Sequence, residues 1–158
     1  MKVFIKLIIT LLLSSSILGQ NLLDERIRRI APRKRSIFLE KGIFHNGGPK
    51  RSSSLKAIRH NFSKSAGYER LVFDFGTKEI PRVYGYIAGN EKRLYLDLFD
   101  TNLVGKLGSF GNSKYVESIN FFPIQSDTLS VEVIFKKEIT IDIFYLLSPG
   151  RFVVDVKG

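Results

Sequence analysis

From residue 69 to the end of the chain, apolar and polar side chains alternate in short runs separated by turn residues. Successive side chains on a strand point to opposite faces, so a period of two buries one face and wets the other. Leu71, Phe73 and Phe75 share one face of the first run, with Arg70, Val72 and Asp74 on the other. Gly76 and Pro81 bound a turn region. Val83, Gly85 and Ile87 then oppose Tyr84 and Tyr86. After the turn Gly89-Asn90-Glu91-Lys92, the residues Leu94, Leu96 and Leu98 point inward from a third strand. A connection rich in Gly105, Gly108, Gly111, Asn112 and Ser113 leads to a strand from Tyr115 to Phe122, which Pro123 is expected to stop.

The second half repeats the plan. Leu129, Val131, Val133 and Phe135 point inward, with Ser130 and Glu132 outward. Lys136-Lys137-Glu138 turns the chain into a strand from Ile139 to Leu146, and Ser148-Pro149-Gly150 turns it into the last strand, Arg151 to Val156. Short turns between alternating strands indicate antiparallel hairpins, and no segment in this region carries a helical stripe. The expected fold is all-β. Each half forms a three-stranded meander with one extra strand, and two similar antiparallel sheets face each other as a small β-sandwich. With 44% apolar residues and no cysteine, the domain must hold together by core packing. The absence of cysteine also removes disulfides, thiolate metal sites and cysteine nucleophiles.

The chain before residue 69 has a different character. Lys2 and Lys6 precede an apolar run from Leu7 to Leu18, and Gly19 offers a small residue for cleavage. This is the layout of a secretory signal peptide over residues 1–19. The run is shorter than the roughly 20 apolar residues of a spanning helix. Cleavage after Ser16 and an uncleaved anchor are the competing readings, and no cysteine follows to carry a lipid. An exported, periplasmic or envelope-associated protein is the expectation.

Residues 24–64 hold twelve Lys or Arg against three Asp or Glu, whereas residues 66–158 hold eleven against twelve. The basic character therefore belongs to one segment, residues 24–64. With Gly47-Gly48-Pro49 and Ser52-Ser53-Ser54, residues 20–68 read as a basic, largely irregular arm. Leu23, Ile27 and Ile30 have helical spacing that Pro32 would end, and Ile37-Phe38-Leu39 and Ile43-Phe44 suit short extended pieces. Attraction to an anionic polymer or membrane surface and a plain soluble spacer are both open readings of this charge. Export takes the protein away from nucleic acid. His45 and His60 both lie in the arm without acidic or cysteine neighbours in sequence, so a metal site is not expected and solvated side chains are.

One pattern recurs three times: Arg, apolar, any, apolar, Asp, apolar. It spans Arg70 to Phe75, Arg93 to Leu98 and Arg151 to Val156. Positions i and i+4 share a strand face, so each Arg projects beside its Asp, and antiparallel pairing can set Arg against Asp across the sheet. Fixing strand register is the simpler reading. The functional one is a polar strip holding a glycan or peptide, because guanidinium forks bind carboxylates and Tyr rings cover sugar faces. The glycan-binding candidates are Arg70, Arg82, Tyr84, Tyr86, Arg93, Tyr95 and Arg151.

The triple pattern, the proline before the second strand and the ending Arg151-Phe152-Val153-Val154-Asp155-Val156 resemble the AMIN domain of bacterial cell-wall amidases and of secretins. The resemblance covers residues 69–158. It implies a sandwich of two similar small sheets that binds peptidoglycan and places its host in the periplasm. In the amidases a zinc-dependent catalytic domain follows, whereas this sequence ends two residues past the last strand. Residues 69–158 contain no histidine and no cluster of Ser with a base. Asp97 and Asp100 are the nearest approach to an acid–base pair, and Asp100 suits a turn. The expectation is a non-catalytic module, without cofactor or metal, that binds peptidoglycan or another anionic envelope polymer. The alternative is a docking subunit of a secretin or pilus-type complex, with sheet edges or Ile37 to Leu39 meeting a partner. A small hydrolase finds no support in the residues.

Overall fold

The structure, a computed structural model, describes residues 27–33, 36–88, 90–104, 107 and 110–158. The expected signal peptide lies outside the described residues. So does Leu23 of the expected helix, and from Arg28 the chain is extended instead.

Among the described residues, twelve strands form two six-stranded sheets. They are β1 (Arg28–Arg29), β2 (Ile37–Leu39), β3 (Gly42–His45), β4 (Ser53–Ser63), β5 (Tyr68–Phe75), β6 (Val83–Ala88), β7 (Arg93–Phe99), β8 (Thr101–Leu103), β9 (Val116–Ile124), β10 (Thr128–Phe135), β11 (Thr140–Leu146) and β12 (Arg151–Lys157). Sheet one runs β1-β3-β6-β7-β10-β9, and sheet two runs β2-β11-β12-β5-β4-β8. Pairing is antiparallel except for β1 with β3 and β4 with β8. The expected alternation holds: β5, β7 and β10 each bury every second residue. The β-sandwich is therefore the fold.

Two expectations about its assembly are corrected. The halves do not form separate sheets. β5 lies in sheet two while β6 and β7 lie in sheet one, and β10 lies in sheet one while β11 and β12 lie in sheet two. The chain crosses between the sheets at 76–82 and at 136–139, where the buried Ile80 and Ile139 close the core. Alternation specifies which face is buried and is silent on which sheet a strand joins.

Residues 28–63 are also not an irregular arm, since they supply four of the twelve strands. Phe44 of β3 is fully buried and lies 6.1 Å from Phe152 across the sheets. It fits because Gly85 stands opposite it, where a Cβ would come within 2.2 Å of the Phe44 ring. The buried Asn46 side chain then ties β3 to the start of β6, donating to the Pro81 carbonyl at 2.9 Å and accepting from the Val83 N–H. β4, with Leu55 and Ile58 inward, pairs with β5 along its length. Clustered Arg, Gly and Ser pointed to solvent, but the apolar residues between them hold the backbone in the sheets. Pro123 is another correction. It lies within β9 rather than ending it, which β9 permits as an edge strand of sheet one.

The fold repeats itself in fine detail. β4-β5-β6-β7 and β9-β10-β11-β12 each form a hairpin, cross to the other sheet and form a second hairpin. Registers correspond residue by residue: Arg70 faces Asp155 as Ser130 faces Asp97, and Tyr86 faces Tyr95 as Phe144 faces Val153. Both outer hairpins carry a one-residue bulge at the corresponding place, at Lys56 and at Glu117. Differences between corresponding positions therefore mark where the two sheets have diverged in role.

Candidate functional site: the outer face of sheet one

The outer face of sheet one collects five of the seven sequence candidates. β6 presents Tyr84 and Tyr86, which are 37% and 39% exposed. β7 presents Arg93, Tyr95 and Asp97, opposite inward Leu94, Leu96 and Leu98. Register sets Tyr86 beside Tyr95, and their rings lie 6.3 Å apart between centres with planes 14° from parallel. Along the next row, Tyr84 stands between His45 and Asp97, followed by Ser130 and the half-exposed Phe122. Arg82 leads into β6, its guanidinium 5.3 Å from the Phe99 ring centre.

The charges that border the tyrosines are engaged with one another. Arg82 bonds Asp100 at 3.0 Å, and its buried Nε has no partner. Arg93 bonds Glu132, which also accepts from Asn120 at 3.0 Å. The Asn120 hydrogen bond first, and the Arg93 guanidinium after it, hold the Glu132 carboxyl below its ordinary value. Ser130 donates to Asp97. The result is an aromatic shelf bordered by hydrogen-bonding groups with little net charge.

Arg70 and Arg151 are not part of it, because they belong to sheet two. There Arg70 closes on Asp155 with two bonds of 2.6 Å, and its guanidinium lies 5.5 Å from the Phe144 ring centre. Phe144 and Val153, which correspond to Tyr86 and Tyr95, are 3% and 1% exposed. Of the three Arg–Asp repeats, only the first and last interlock as foreseen, through Arg70 and Asp155. Asp74 faces Arg151 in register but takes a bidentate pair from Arg59, at 2.6 and 2.8 Å. Arg93 turns to Glu132 instead of an Asp.

A second polar cluster lies between the sheets at one end. Glu69 is fully buried and accepts from His60 Nδ1 at 2.9 Å, Ser113 Oγ at 2.8 Å and the Tyr115 N–H at 2.8 Å. Ser113 Oγ also accepts from the Val116 N–H, and Phe110 packs on the His60 ring. His60 is therefore not the solvated side chain that its sequence neighbours suggested. Ser113 bonds the carboxylate rather than the imidazole, so these groups form a clamp on the start of β9 and not a nucleophile–base relay. Among the described residues no group of three His, Asp or Glu converges as a metal site.

Sequence reasoning missed Glu132, Asn120 and Phe122 on the sheet-one face, and Glu69 in the interior. Glu69 had a signal, since it shares the parity of Leu71, Phe73 and Phe75 and so had to point inward. Glu132 was read as outward, but its pairing with Arg93 depends on β10 lying beside β7, which no local pattern states.

No protein-family model, no curated protein and no solved structure matches the chain. The resemblance to the AMIN domain thus stands on the residues that carry it.

Proposed function

We propose that this chain is a non-catalytic binding module of the bacterial cell envelope that attaches to peptidoglycan through the outer face of sheet one. The observation that carries the reading is the open pair Tyr86 and Tyr95, extended by Tyr84 and edged by Arg82 and Arg93. Aromatic rings presented on a rigid sheet bury the apolar faces of sugar rings, while surrounding polar groups meet the hydroxyls. The signal-peptide layout of residues 1–19 and the AMIN-like repeats support an envelope location.

Co-sedimentation with purified sacculi tests this reading. The full chain is expected in the pellet, and a Tyr86→Ala/Tyr95→Ala double variant in the supernatant. Wild-type protein left wholly in the supernatant at low salt overturns the reading.

A docking role in a secretin or pilus-type complex is the second reading, and of the surfaces expected for it the sheet edges support it best. Ile37–Leu39 is strand β2, an edge of sheet two, with Leu39 in the core and Phe38 half exposed. β9, an edge of sheet one, carries Phe122 and Ile124 about half exposed. An exposed edge strand can accept an added strand from a partner. A single dominant protein adduct on cross-linking from β9 in cells favours this reading.

A further inference from the structure

We infer that the sheet-one face takes an uncharged stretch of glycan, sugar rings with hydroxyl and acetamido groups, rather than the carboxylates or phosphates of an envelope polymer. This rests on the glycan-binding reading above and narrows it.

The positive charge of the chain suggests an anionic ligand, but the two arginines that edge the tyrosines are already paired with carboxylates. Arg82 is committed to Asp100, and Arg93 to Glu132. An incoming anion would have to displace a carboxylate already in place from either guanidinium, and Asp97 beside Tyr84 would repel it. A neutral ring instead keeps both pairs intact and gains apolar contact on two near-parallel tyrosines. The remaining polar atoms suit hydroxyl and acetamide groups.

The internal repeat points the same way. The same positions on sheet two are sealed. Arg70, held by Asp155, lies over Phe144, and Phe144 and Val153 are both buried. On sheet one the residue at the Arg70 position is Ser130, too short to reach across Asp97 to the Tyr86 ring. The Arg70/Ser130 difference, with Phe144/Tyr86 and Val153/Tyr95 beside it, thus separates a covered patch from an open one. Where Arg70 covers an aromatic ring in sheet two, the ligand covers the rings in sheet one.

The probe is a soluble β-1,4-linked N-acetylglucosamine oligomer, titrated calorimetrically into the full chain and used to compete against sacculi. The expected result is that the oligomer binds, releases the chain from sacculi and does so equally at low and high salt, because no charge pair forms. Ser130→Arg is expected to swing over the shelf, pair with Asp97 and weaken oligomer binding at least tenfold while the unfolding temperature is kept. Arg59→Ala, on the opposite sheet, is expected to leave binding unchanged.

Sacculus binding that the oligomer fails to compete, that high salt abolishes or that survives a folded Ser130→Arg overturns the neutral-glycan inference and leaves envelope binding standing. Absence of any sacculus binding overturns both. Should Ser130→Arg unfold, Tyr95→Val, which installs the sheet-two residue, carries the same expectation of at least tenfold weaker oligomer binding, and unchanged binding overturns the inference.

Discussion

Arg70 and Asp155 face each other across β5 and β12 and are joined by two hydrogen bonds of 2.6 Å. The carboxylate is 9% exposed, and Asp142 stands directly opposite it on the other neighbouring strand. Two like charges in register repel, so the Arg70 fork balances a pair that is otherwise unfavourable.

Removing that fork should therefore cost more than an ordinary surface ion pair. Arg70→Ala is expected to lower the unfolding free energy by about 2–4 kcal/mol, because a nearly buried carboxylate loses its partner. Arg70→Lys should recover only part, since an ammonium cannot make the planar two-point contact. Asp142→Asn in the Arg70→Ala background should restore some of the loss by removing the facing charge. Urea titration of the four proteins measures these differences. No extra stability from Asp142→Asn would show that the facing aspartates do not interact.

Phe44 and Gly85 provide a test of where the domain begins. Phe44→Ala empties a site at the centre of the core and is expected to cost about 3–5 kcal/mol. Gly85→Ala places a methyl group where the Phe44 ring lies and should destabilise by about 1–3 kcal/mol or more through overpacking. In the Phe44→Ala background, Gly85→Ala should be far less harmful because the ring is gone, a coupling that a double-mutant cycle detects. A fragment of residues 69–158 alone should fail to show a cooperative transition. A stable, cooperative fragment would return strands β3 and β4 to the status of an accessory arm.

That boundary marks what the sequence could and could not say. The inward faces of β5, β6, β7 and β10 were legible because a period-two pattern on a half-buried strand is a local property. Residues 28–63 were not, because their apolar positions are interrupted by a bulge at Lys56 and by short two- to four-residue strands. Their Arg and Lys density also mimics a solvated linker. For the candidate site, Tyr84, Tyr86 and Tyr95 could be placed outward from parity, and β6 and β7 follow one another through a tight turn. The separation of Arg70 and Arg151 from them was not legible. It depends on the chain crossing between sheets after β5 and after β10, which is a tertiary choice.

Glu69 anchors the start of β9 to β4 and β5, and its removal should be felt there. Glu69→Gln keeps the size but turns one acceptor oxygen into a donor facing donors. A loss of about 1–3 kcal/mol is expected for this buried mismatch, and more for Glu69→Ala, which leaves three donors without an acceptor. Hydrogen exchange at the amides of Tyr115 and Val116 should quicken by more than the average of the core strands, because the carboxylate and Ser113 hold them. Uniform quickening across both sheets would mean that Glu69 supports the whole core rather than this corner.

Glu132 links acid stability to ligand choice. Its carboxyl is held below its ordinary value near 4.5, first by Asn120 and then by Arg93. A depressed folded-state value gives stability that is present above the unfolded value and is lost as pH falls through the folded one. Urea midpoints should therefore fall as pH drops from about 5 toward about 3, and Glu132→Gln should flatten that slope without steepening it at higher pH. The same protonation releases Arg93 on the sheet-one face. In acid the shelf then gains an uncompensated positive charge, so any sacculus binding should acquire a salt dependence that it lacks at neutral pH. Glu132→Gln should show that salt dependence at neutral pH already. If it does not, Arg93 is not restrained by Glu132 in solution, and the electrostatic half of the neutral-glycan argument fails with it.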